Sequence, residues 1–214
     1  EAYEEIGFVA LRGHFLSDQL SENLYKQVKA FFNLPDEVKE SYEIDGIGGQ
    51  RGYTSFGKGS AKGKKEGDLK EFWHFGQEVI GNDVLKAQYP KNVLVNEVPN
   101  FNKIGMETYK MLEKTATYVL RALALYIGLD ELYFDKYVTN GNSILRAIHY
   151  PPIKTEPKGA VRAAAHGDIN LITLLMGASA SGLEVQNKKG DWIPVTALPE
   201  QLVINVGDML ERLT

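Results

Sequence analysis

The spacing of apolar residues predicts two amphipathic helices in the first part of the chain. Apolar residues recur every three to four positions after Ser17, and again from about residue 100 to residue 127, which is the period of a helix with one buried face. Ser17 is suited to cap the first helix, while Pro35 and Gly128 are suited to follow the helix ends. These signals predict where both helices begin and end.

Strand-like patterns occur on both sides of the long helix. The opening EAYEEIGFVALRG is typical of a helix leading into a strand, and DLKEFWHFG at 68–76 alternates like a half-buried strand. The glycine- and lysine-rich residues 44–67 favour a long solvated loop. After residue 140, short apolar runs alternate with turn sequences at the spacing of a β-sandwich or barrel. These runs are SILRAIHY, INLITLLMG, GLEVQN, DWIPV and QLVINVG.

The order of these elements predicts an α+β fold. We expect residues 1–140 to form a mainly helical N-terminal region and residues 141–214 to form part of a β core. A chain of 214 residues is long enough to bury most of its apolar surface around one core. Residues 1–214 are therefore interpreted as a single domain.

Composition narrows the classes of function. The net charge is −4 and the sequence pI is about 5.7, so the chain has no excess of positive charge for nucleic acid or an anionic membrane. It contains no cysteine, which excludes thiolate catalysis and sulfur-ligated metals. No apolar stretch reaches the roughly 18 residues of a membrane span. We expect a cytoplasmic protein whose partner is a small molecule, and the oligomeric state stays open.

The lysine-rich stretch GKGSAKGKKEG is not a phosphate-binding loop. A P-loop needs Ser or Thr after its Gly-Lys pair, whereas Lys65 follows Gly63 and Lys64. We interpret this stretch as a solvated loop, with a lid over a binding pocket as the alternative.

The stretch AAAHGDINLITLL at 163–175 contains the candidate chemistry. His166 lies two positions before Asp168, at the start of an apolar run. In a strand such residues point to the same face, and Gly167 between them leaves room for an ion. A histidine and a carboxylate are two of the three ligands of a non-haem Fe(II) facial triad. The alternative is a strand end where the two side chains only hydrogen-bond.

Several motifs in order resemble one enzyme family. The segments ILRAIHYPP, AAAHGDINLITLL, SGLEVQNKKGDWIPV and LVINVGDMLERLT resemble the β core of the isopenicillin N synthase-like family of Fe(II) and 2-oxoglutarate-dependent oxygenases. Further upstream, QRGYTSFG and DLKEFWHFG resemble the segment that bacterial members carry before the long helix. The resemblance covers nearly the whole chain. It implies a double-stranded β-helix, also called a jelly roll or cupin-like barrel, preceded by a helical region.

The resemblance also implies roles for individual residues. His166 and Asp168 match the first two iron ligands, which would make them the catalytic metal-binding pair. Tyr150 matches the tyrosine whose hydroxyl contacts a carboxylate of the co-substrate or substrate. Arg146 lies four residues earlier, on the same strand face by period-two counting, and is suited to the same cofactor-binding pocket. A salt bridge at the rim of the pocket is the equal alternative for Arg146.

The family's remaining site residues do not match any position here. The third ligand is a histidine expected beyond Thr214, and an Arg-x-Ser pair that binds 2-oxoglutarate is expected further on. We therefore expect a family member incomplete at both ends, inactive as this polypeptide alone, with an unpaired strand edge at QLVINVG.

The function implied is oxygen- and Fe(II)-dependent oxidation of a small molecule, coupled to decarboxylation of 2-oxoglutarate, with hydroxylation, desaturation or cyclisation as outcomes. Two alternatives stay open. One is an iron- and oxygen-dependent peptide cyclase that does not use 2-oxoglutarate, and the other is a non-catalytic cupin-like binding domain.

Other polar residues are assigned structural roles. His149 is expected on the strand face opposite Tyr150, hydrogen-bonded in a structural role, and His14 in a loop. His74 is expected in the core, with pocket lining as the alternative. Asn205 matches a structural turn of the family, and core packing is sufficient to explain Thr173.

Overall fold

A computed structural model of the chain describes residues 2–58, 68–153, 161–177, 182–196, 198 and 200–213. The helices are α1 (Ala2–Glu5), α2 (Asp18–Phe32), α3 (Asp36–Glu40), α4 (Asp83–Gln88), α5 (Phe101–Tyr126), α6 (Asp135–Val138) and α7 (Asp208–Leu213). The strands are β1 (Phe8–Leu11), β2 (Gly52–Thr54), β3 (Glu71–Gly76), β4 (Ile144–His149), β5 (Ile172–Leu175), β6 (Glu184–Gln186), β7 (Trp192–Pro194) and β8 (Leu202–Val206). Most of the GKGSAKGKKEG stretch lies outside the described residues.

The two long helices follow the predicted pattern. The Ser17 side chain accepts a hydrogen bond from the Leu20 amide at the start of α2, as an N-cap residue does. Helix α5 ends just before Gly128, whose φ of +77° is readily adopted by glycine. The helical periods and end signals therefore predict α2 and α5 correctly.

The strands form two antiparallel three-stranded sheets and a separate hairpin. One sheet has the order β1-β8-β5, the other has the order β2-β3-β4, and β6 pairs with β7. Each three-stranded sheet combines strands from the first and the second half of the chain. The expected helical N-terminal region therefore also supplies β1, β2 and β3.

An aromatic core joins the helices to the second sheet. Phe31 of α2, Trp73 of β3 and Phe101 of α5 are almost completely buried and their rings are in contact. Burying large side chains of this kind contributes roughly 1.5–3 kcal/mol each. This cluster fixes β3 and β4 against α2 and α5.

Two predictions about burial and pairing are wrong. All six residues of β3 are buried, and not only alternate ones, because α5 covers one face and the opposite face also packs against neighbouring side chains. β8, the QLVINVG strand expected to present an unpaired edge, is the middle strand of its sheet and pairs with both β1 and β5.

Among the described residues, none of the helices has the length and apolar character that crossing a bilayer requires.

Candidate metal and co-substrate site

His166 and Asp168 approach each other in a loop that leads into β5. The Nδ1 atom of His166 lies 2.7 Å from the carbonyl oxygen of Ala164. Because a carbonyl can only accept, Nδ1 donates and the lone pair of the imidazole is on Nε2. Nε2 lies 3.6 Å from Oδ1 of Asp168. The prediction that the two residues lie in a strand is wrong, since β5 begins only at Ile172.

Two side chains from neighbouring strands hold the Asp168 carboxylate. The Thr173 hydroxyl donates to Oδ2 of Asp168 at 2.6 Å, and the side-chain amide of Asn205 donates to the same oxygen at 2.9 Å. Thr173 and Asn205 are directly paired between β5 and β8. The sequence interpretation, which gave Thr173 only a packing role and Asn205 only a turn role, missed this contact. Oδ1 is left facing His166.

The backbone of this loop is docked against the end of β8. The Asp208 amide donates to the Asp168 carbonyl at 2.8 Å, and the Gly207 amide donates to the Leu171 carbonyl at 2.9 Å. A Cβ atom at Gly207 would lie 2.3 Å from the carbonyl oxygen of Asn170. Only glycine fits there, so the close approach of the loop depends on it.

The contact atoms fit a metal ion. Two ligands bonded to one ion at about 2 Å each can be up to about 4 Å apart, and Nε2 and Oδ1 are within that range. The other imidazole nitrogen of His166 donates to a backbone carbonyl, which is the usual way in which a metal-bound histidine is oriented. The side chains of His166 and Asp168 are 55% and 28% exposed, so an ion can reach them. Within the described ranges, no group of three or more potential ligand side chains is clustered.

Arg146 and Tyr150 lie on one side of β4. Residues 144, 146 and 148 form its exposed face, whereas residues 145 and 147 pack against the aromatic core. Tyr150 follows the strand with the same alternation and is 37% exposed. Burial raises the pKa of the Tyr150 hydroxyl, Asp68 raises it further, and the charges of Arg146 and Arg162 oppose that rise.

Asp168 is an electrostatic neighbour of Arg146. Burial of the guanidinium lowers the pKa of Arg146, while the Asp168 carboxylate and the Tyr150 hydroxyl oppose this shift. The structure thus brings all four sequence-predicted site residues into one region, which joins β4 to the loop before β5.

His74 contacts this region from the neighbouring strand. It lies directly opposite Arg146 in the β3–β4 register, and Nε of Arg146 donates to Nε2 of His74 at 2.6 Å. Nδ1 of His74 donates to the Gly49 carbonyl. Burial first, and then the positive charge of Arg146, lower the pKa of His74 to about 4. His74 is therefore neutral at physiological pH, with its lone pair directed to Arg146.

His149 belongs to a different cluster on the opposite face of the sheet. Its Nδ1 donates to Glu71 at 2.6 Å, and Lys39 and Tyr53 also donate to the Glu71 carboxylate. Burial raises the pKa of Glu71, but these donors outweigh burial and lower the pKa below its usual value. The four side chains line a cavity of about 450 Å³, and none of the predicted site residues lines it. His149 is hydrogen-bonded and lies on the strand face opposite Tyr150, as expected. The remaining histidine, His14, donates from Nε2 to the Glu200 carbonyl at 3.2 Å.

Two family models match the chain. Residues 1–97 match the non-haem dioxygenase in morphine synthesis N-terminal family, and residues 141–214 match the 2OG-Fe(II) oxygenase superfamily. The second match contains every site residue predicted from the sequence.

Relatives with similar sequences carry related names. The 2-oxoglutarate-dependent dioxygenase citB of Monascus ruber is 32% identical over 97% of this chain, and the homoarginine-6-hydroxylase 2-ODD-C23.2 of Arabidopsis thaliana is 31% identical over all of it. The chain spans 66% and 60% of the length of these two curated relatives.

Solved structures show the same fold. A 2OG-Fe(II) oxygenase family protein of Caulobacter crescentus is 43% identical, with a TM-score of 0.87, and the match covers 99% of this chain and 68% of that protein. A full-length Neurospora crassa protein, solved in complex with alpha-KG, is 29% identical with a TM-score of 0.80, and the match covers 97% and 65% of the two chains. The resemblance found in the sequence motifs is confirmed: the chain belongs to the 2OG-Fe(II) oxygenase superfamily.

Proposed function

We propose that this chain carries the first two metal ligands of a non-haem Fe(II) oxygenase that couples 2-oxoglutarate decarboxylation to oxidation of a small-molecule substrate. The observation that carries the proposal is the approach of His166 Nε2 to Asp168 Oδ1. The remaining ring nitrogen of His166 and the remaining oxygen of Asp168 are occupied by protein partners. Each side chain therefore has one ligand atom left, and the two atoms are side by side.

The residues have separate tasks in this proposal. His166 and Asp168 hold Fe(II), with a histidine beyond Thr214 as the third ligand. When bound, Fe(II) would supply the chemistry by which oxygen reacts with 2-oxoglutarate and with a C–H bond of the substrate. Tyr150 donates its hydroxyl to a carboxylate of the co-substrate or substrate, and Arg146 supplies a positive charge to the same pocket.

We also propose that the sheets belong to one jelly-roll domain. The pairing of β1 with β8 and of β3 with β4 supports this, because strands from both halves of the chain share each sheet. A jelly roll consists of two such antiparallel sheets, and the similarity to solved members of the superfamily points in the same direction.

The two alternative functions receive less support. The relatives named above are described as 2-oxoglutarate-dependent or as hydroxylases, which favours a 2-oxoglutarate user over a peptide cyclase. A cupin-like binding domain without catalysis would need neither a metal nor oxygen. Oxygen-dependent formation of succinate from 2-oxoglutarate separates both alternatives from the proposal.

Metal titration tests the ligand pair. Calorimetric titration with Mn²⁺, used in place of Fe(II), should show binding to the native protein that is lost in His166→Ala and in Asp168→Ala. The matched controls are His14→Ala and Glu184→Gln, which replace a histidine and a carboxylate that are not proposed as ligands and should bind as the native protein does. Undiminished Mn²⁺ binding in either ligand variant refutes the assignment.

The third ligand has its own test. The 214-residue polypeptide is compared with one that is extended by the natural sequence after Thr214. We expect the extended protein to bind Mn²⁺ more tightly and to consume oxygen, because two protein ligands hold an ion less firmly than three. Iron-dependent turnover by the shorter polypeptide alone would show that the third ligand is assigned wrongly.

A further inference from the structure

Arg146 is held on two sides by protein groups. His74 accepts the Nε–H from the neighbouring strand at 2.6 Å, and the guanidinium carbon lies 4.9 Å from the centre of the Phe72 ring. Phe72 and His74 are two residues apart in β3 and therefore lie on the same face of the sheet. The plane and one edge of the guanidinium are thus fixed.

The outer end of this guanidinium is open. A guanidinium can bind a carboxylate through two parallel hydrogen bonds, either along its Nε edge or at its Nη1–Nη2 end. His74 occupies the Nε position. Within the part of the chain that the structure describes, Nη1 and Nη2 of Arg146 have no hydrogen-bond or ion-pair partner. Only the end-on arrangement with Nη1 and Nη2 is therefore available to a ligand.

The acceptor role of His74 follows from its own contacts. Its Nδ1 donates to the Gly49 carbonyl, which places the ring proton on that nitrogen and leaves a lone pair on Nε2. A buried side chain that accepts from Arg146 and is itself anchored to the backbone restricts the arginine to one orientation. Arg146 has several rotatable bonds, so this restriction reduces the entropy lost when a ligand binds.

We propose that Arg146 binds a carboxylate end-on through Nη1 and Nη2 beside the His166–Asp168 pair, and that His74 is a positioning residue for this contact. The inference rests on the proposed function, because the carboxylate belongs either to 2-oxoglutarate or to the primary substrate. It deepens that function by making the pocket selective for an anion and by assigning a task to His74.

The first arm of the test measures 2-oxoglutarate. The protein extended by its natural sequence after Thr214 and loaded with Mn²⁺ is titrated with 2-oxoglutarate by calorimetry, together with its Arg146→Met and Arg146→Lys variants. The second arm measures a substrate-like carboxylate. Ligand-observed NMR compares benzoate with its neutral analogue benzamide, on metal-free protein and on protein loaded with Zn²⁺ and saturated with 2-oxoglutarate.

The two arms identify the source of the carboxylate. Loss of 2-oxoglutarate affinity by about 10-fold or more in Arg146→Met assigns Arg146 to the co-substrate. Loss of the preference for benzoate over benzamide, with 2-oxoglutarate affinity unchanged, assigns it to the substrate. Arg146→Lys should retain only part of the affinity or preference that Arg146→Met loses, because an ammonium group lacks the paired donors. If neither arm responds to Arg146→Met, the proposal is overturned.

His74 variants test the positioning role. His74→Gln keeps an acceptor for Arg146 and a donor for Gly49, and should retain most of the affinity. His74→Phe keeps a ring but no acceptor. It should weaken binding of the carboxylate several-fold in whichever arm responds to Arg146→Met. In an Arg146→Met background, His74→Phe should have no further effect on binding. An equal loss in both backgrounds would show that His74 is only structural and would overturn its positioning role.

Failure of this inference is distinguishable from failure of the proposed function. The Arg146 and His74 variants should bind Mn²⁺ as the native protein does, since neither residue is a proposed ligand. If the protein extended past Thr214 does not bind Mn²⁺, the proposed function fails, while the benzoate arm on metal-free protein still decides whether Arg146 binds a carboxylate. If His74→Phe does not fold, His74→Gln and the Arg146 variants still provide both readouts.

Discussion

Thr173 and Asn205 lie directly opposite each other on β5 and β8, and both donate to Oδ2 of Asp168. Paired residues on adjacent strands share one face of the sheet, so the pairing itself brings the two donors together. The carboxylate is therefore oriented by the sheet and not by the loop that carries it. Hydrogen bonds that orient a metal ligand in this way contribute to metal affinity.

Removal of these donors should weaken metal binding without abolishing it. In Asn205→Ala and in Thr173→Val we expect Mn²⁺ affinity to fall about 10- to 100-fold, the usual effect of losing a partner of a metal ligand. Calorimetric titration measures this change. Asn96→Ala is the matched control, because Asn96 is exposed and distant in sequence from Asp168. This variant should bind Mn²⁺ as the native protein does. Unchanged affinity in Asn205→Ala would mean that the Asp168 orientation does not depend on the sheet.

Tyr150→Phe tests the co-substrate contact. The substitution keeps the ring and removes only the hydroxyl, so the hydrogen bond to a carboxylate is lost. A hydrogen bond to a charged group contributes about 1.5–3 kcal/mol, and we expect the Kd for 2-oxoglutarate to rise about 10- to 100-fold. Calorimetry on the Mn²⁺-loaded protein measures the Kd. Tyr118→Phe on the exposed side of α5 is the control, and an unchanged Kd in Tyr150→Phe would remove Tyr150 from the site.

Gly207→Ala tests the close docking of the loop before β5. The new methyl group would lie 2.3 Å from the Asn170 carbonyl oxygen, so the backbone must move. Overpacking of this kind costs about 1–3 kcal/mol, which corresponds to a fall in Tm of roughly 2–12 °C for a chain of this size. Differential scanning calorimetry measures the Tm. At Gly177 no described residue beyond its chain neighbours has an atom within 4 Å of the added carbon, so Gly177→Ala should leave the Tm nearly unchanged. Equal Tm values for the two variants would contradict the close docking.

His74 should make stability depend on pH below neutrality. Its pKa is about 4 in the folded protein and about 6.5 in an unfolded chain, so between these values the unfolded chain binds more protons. The free energy of unfolding therefore rises with pH between about 4 and 6.5, by up to about 3 kcal/mol from this residue. Denaturant unfolding at pH 4.5 and pH 7 measures the difference. His74→Gln should lose less stability at pH 4.5 than the native protein, and an equal loss in both proteins would show that His74 does not cause it.

The sequence predicts the two long helices and most of the strands because their signals are local, whereas β2 lies within residues 44–67, which were expected to form a loop. The Ser17 cap, the period of α5 and the turn residues between the late strands act over a few positions, so each can be recognised without knowledge of the fold. The burial of β3 could not be predicted in this way. Whether one face or both faces of a strand are covered depends on α5 and on the neighbouring strands, which are distant in sequence.

Part of the candidate site is also visible in the sequence. The spacing of His166 and Asp168 and the motifs around them indicate both residues, although the two do not share a strand face as predicted. The sequence around Asn205 also contains a signal of its role. Asn205 is a polar residue within the apolar run of β8, and a buried polar side chain needs a hydrogen-bond partner. That its partner is Asp168 could not be predicted, because this requires the register between β5 and β8.

The contact between His74 and Arg146 could not be predicted from the sequence either. Each residue lies in a segment recognised as a strand, and nothing local indicates that the two strands are neighbours. Only the pairing of β3 with β4 brings the imidazole to the guanidinium. Side-chain contacts across a sheet are properties of the topology, which short sequence patterns do not contain.

The central position of β8 has a consequence for the order of folding. Among the described strands β8 is the last, and one of its partners, β1, is the first, with Phe8 paired to Asn205. Contacts between residues far apart in sequence require a large loss of chain entropy before they stabilise the structure, and they slow folding. During synthesis, Asn205 emerges after every residue of the aromatic core. We therefore expect the sheet that orients Asp168 to form late, so that the metal-binding geometry is acquired only after the aromatic core has formed.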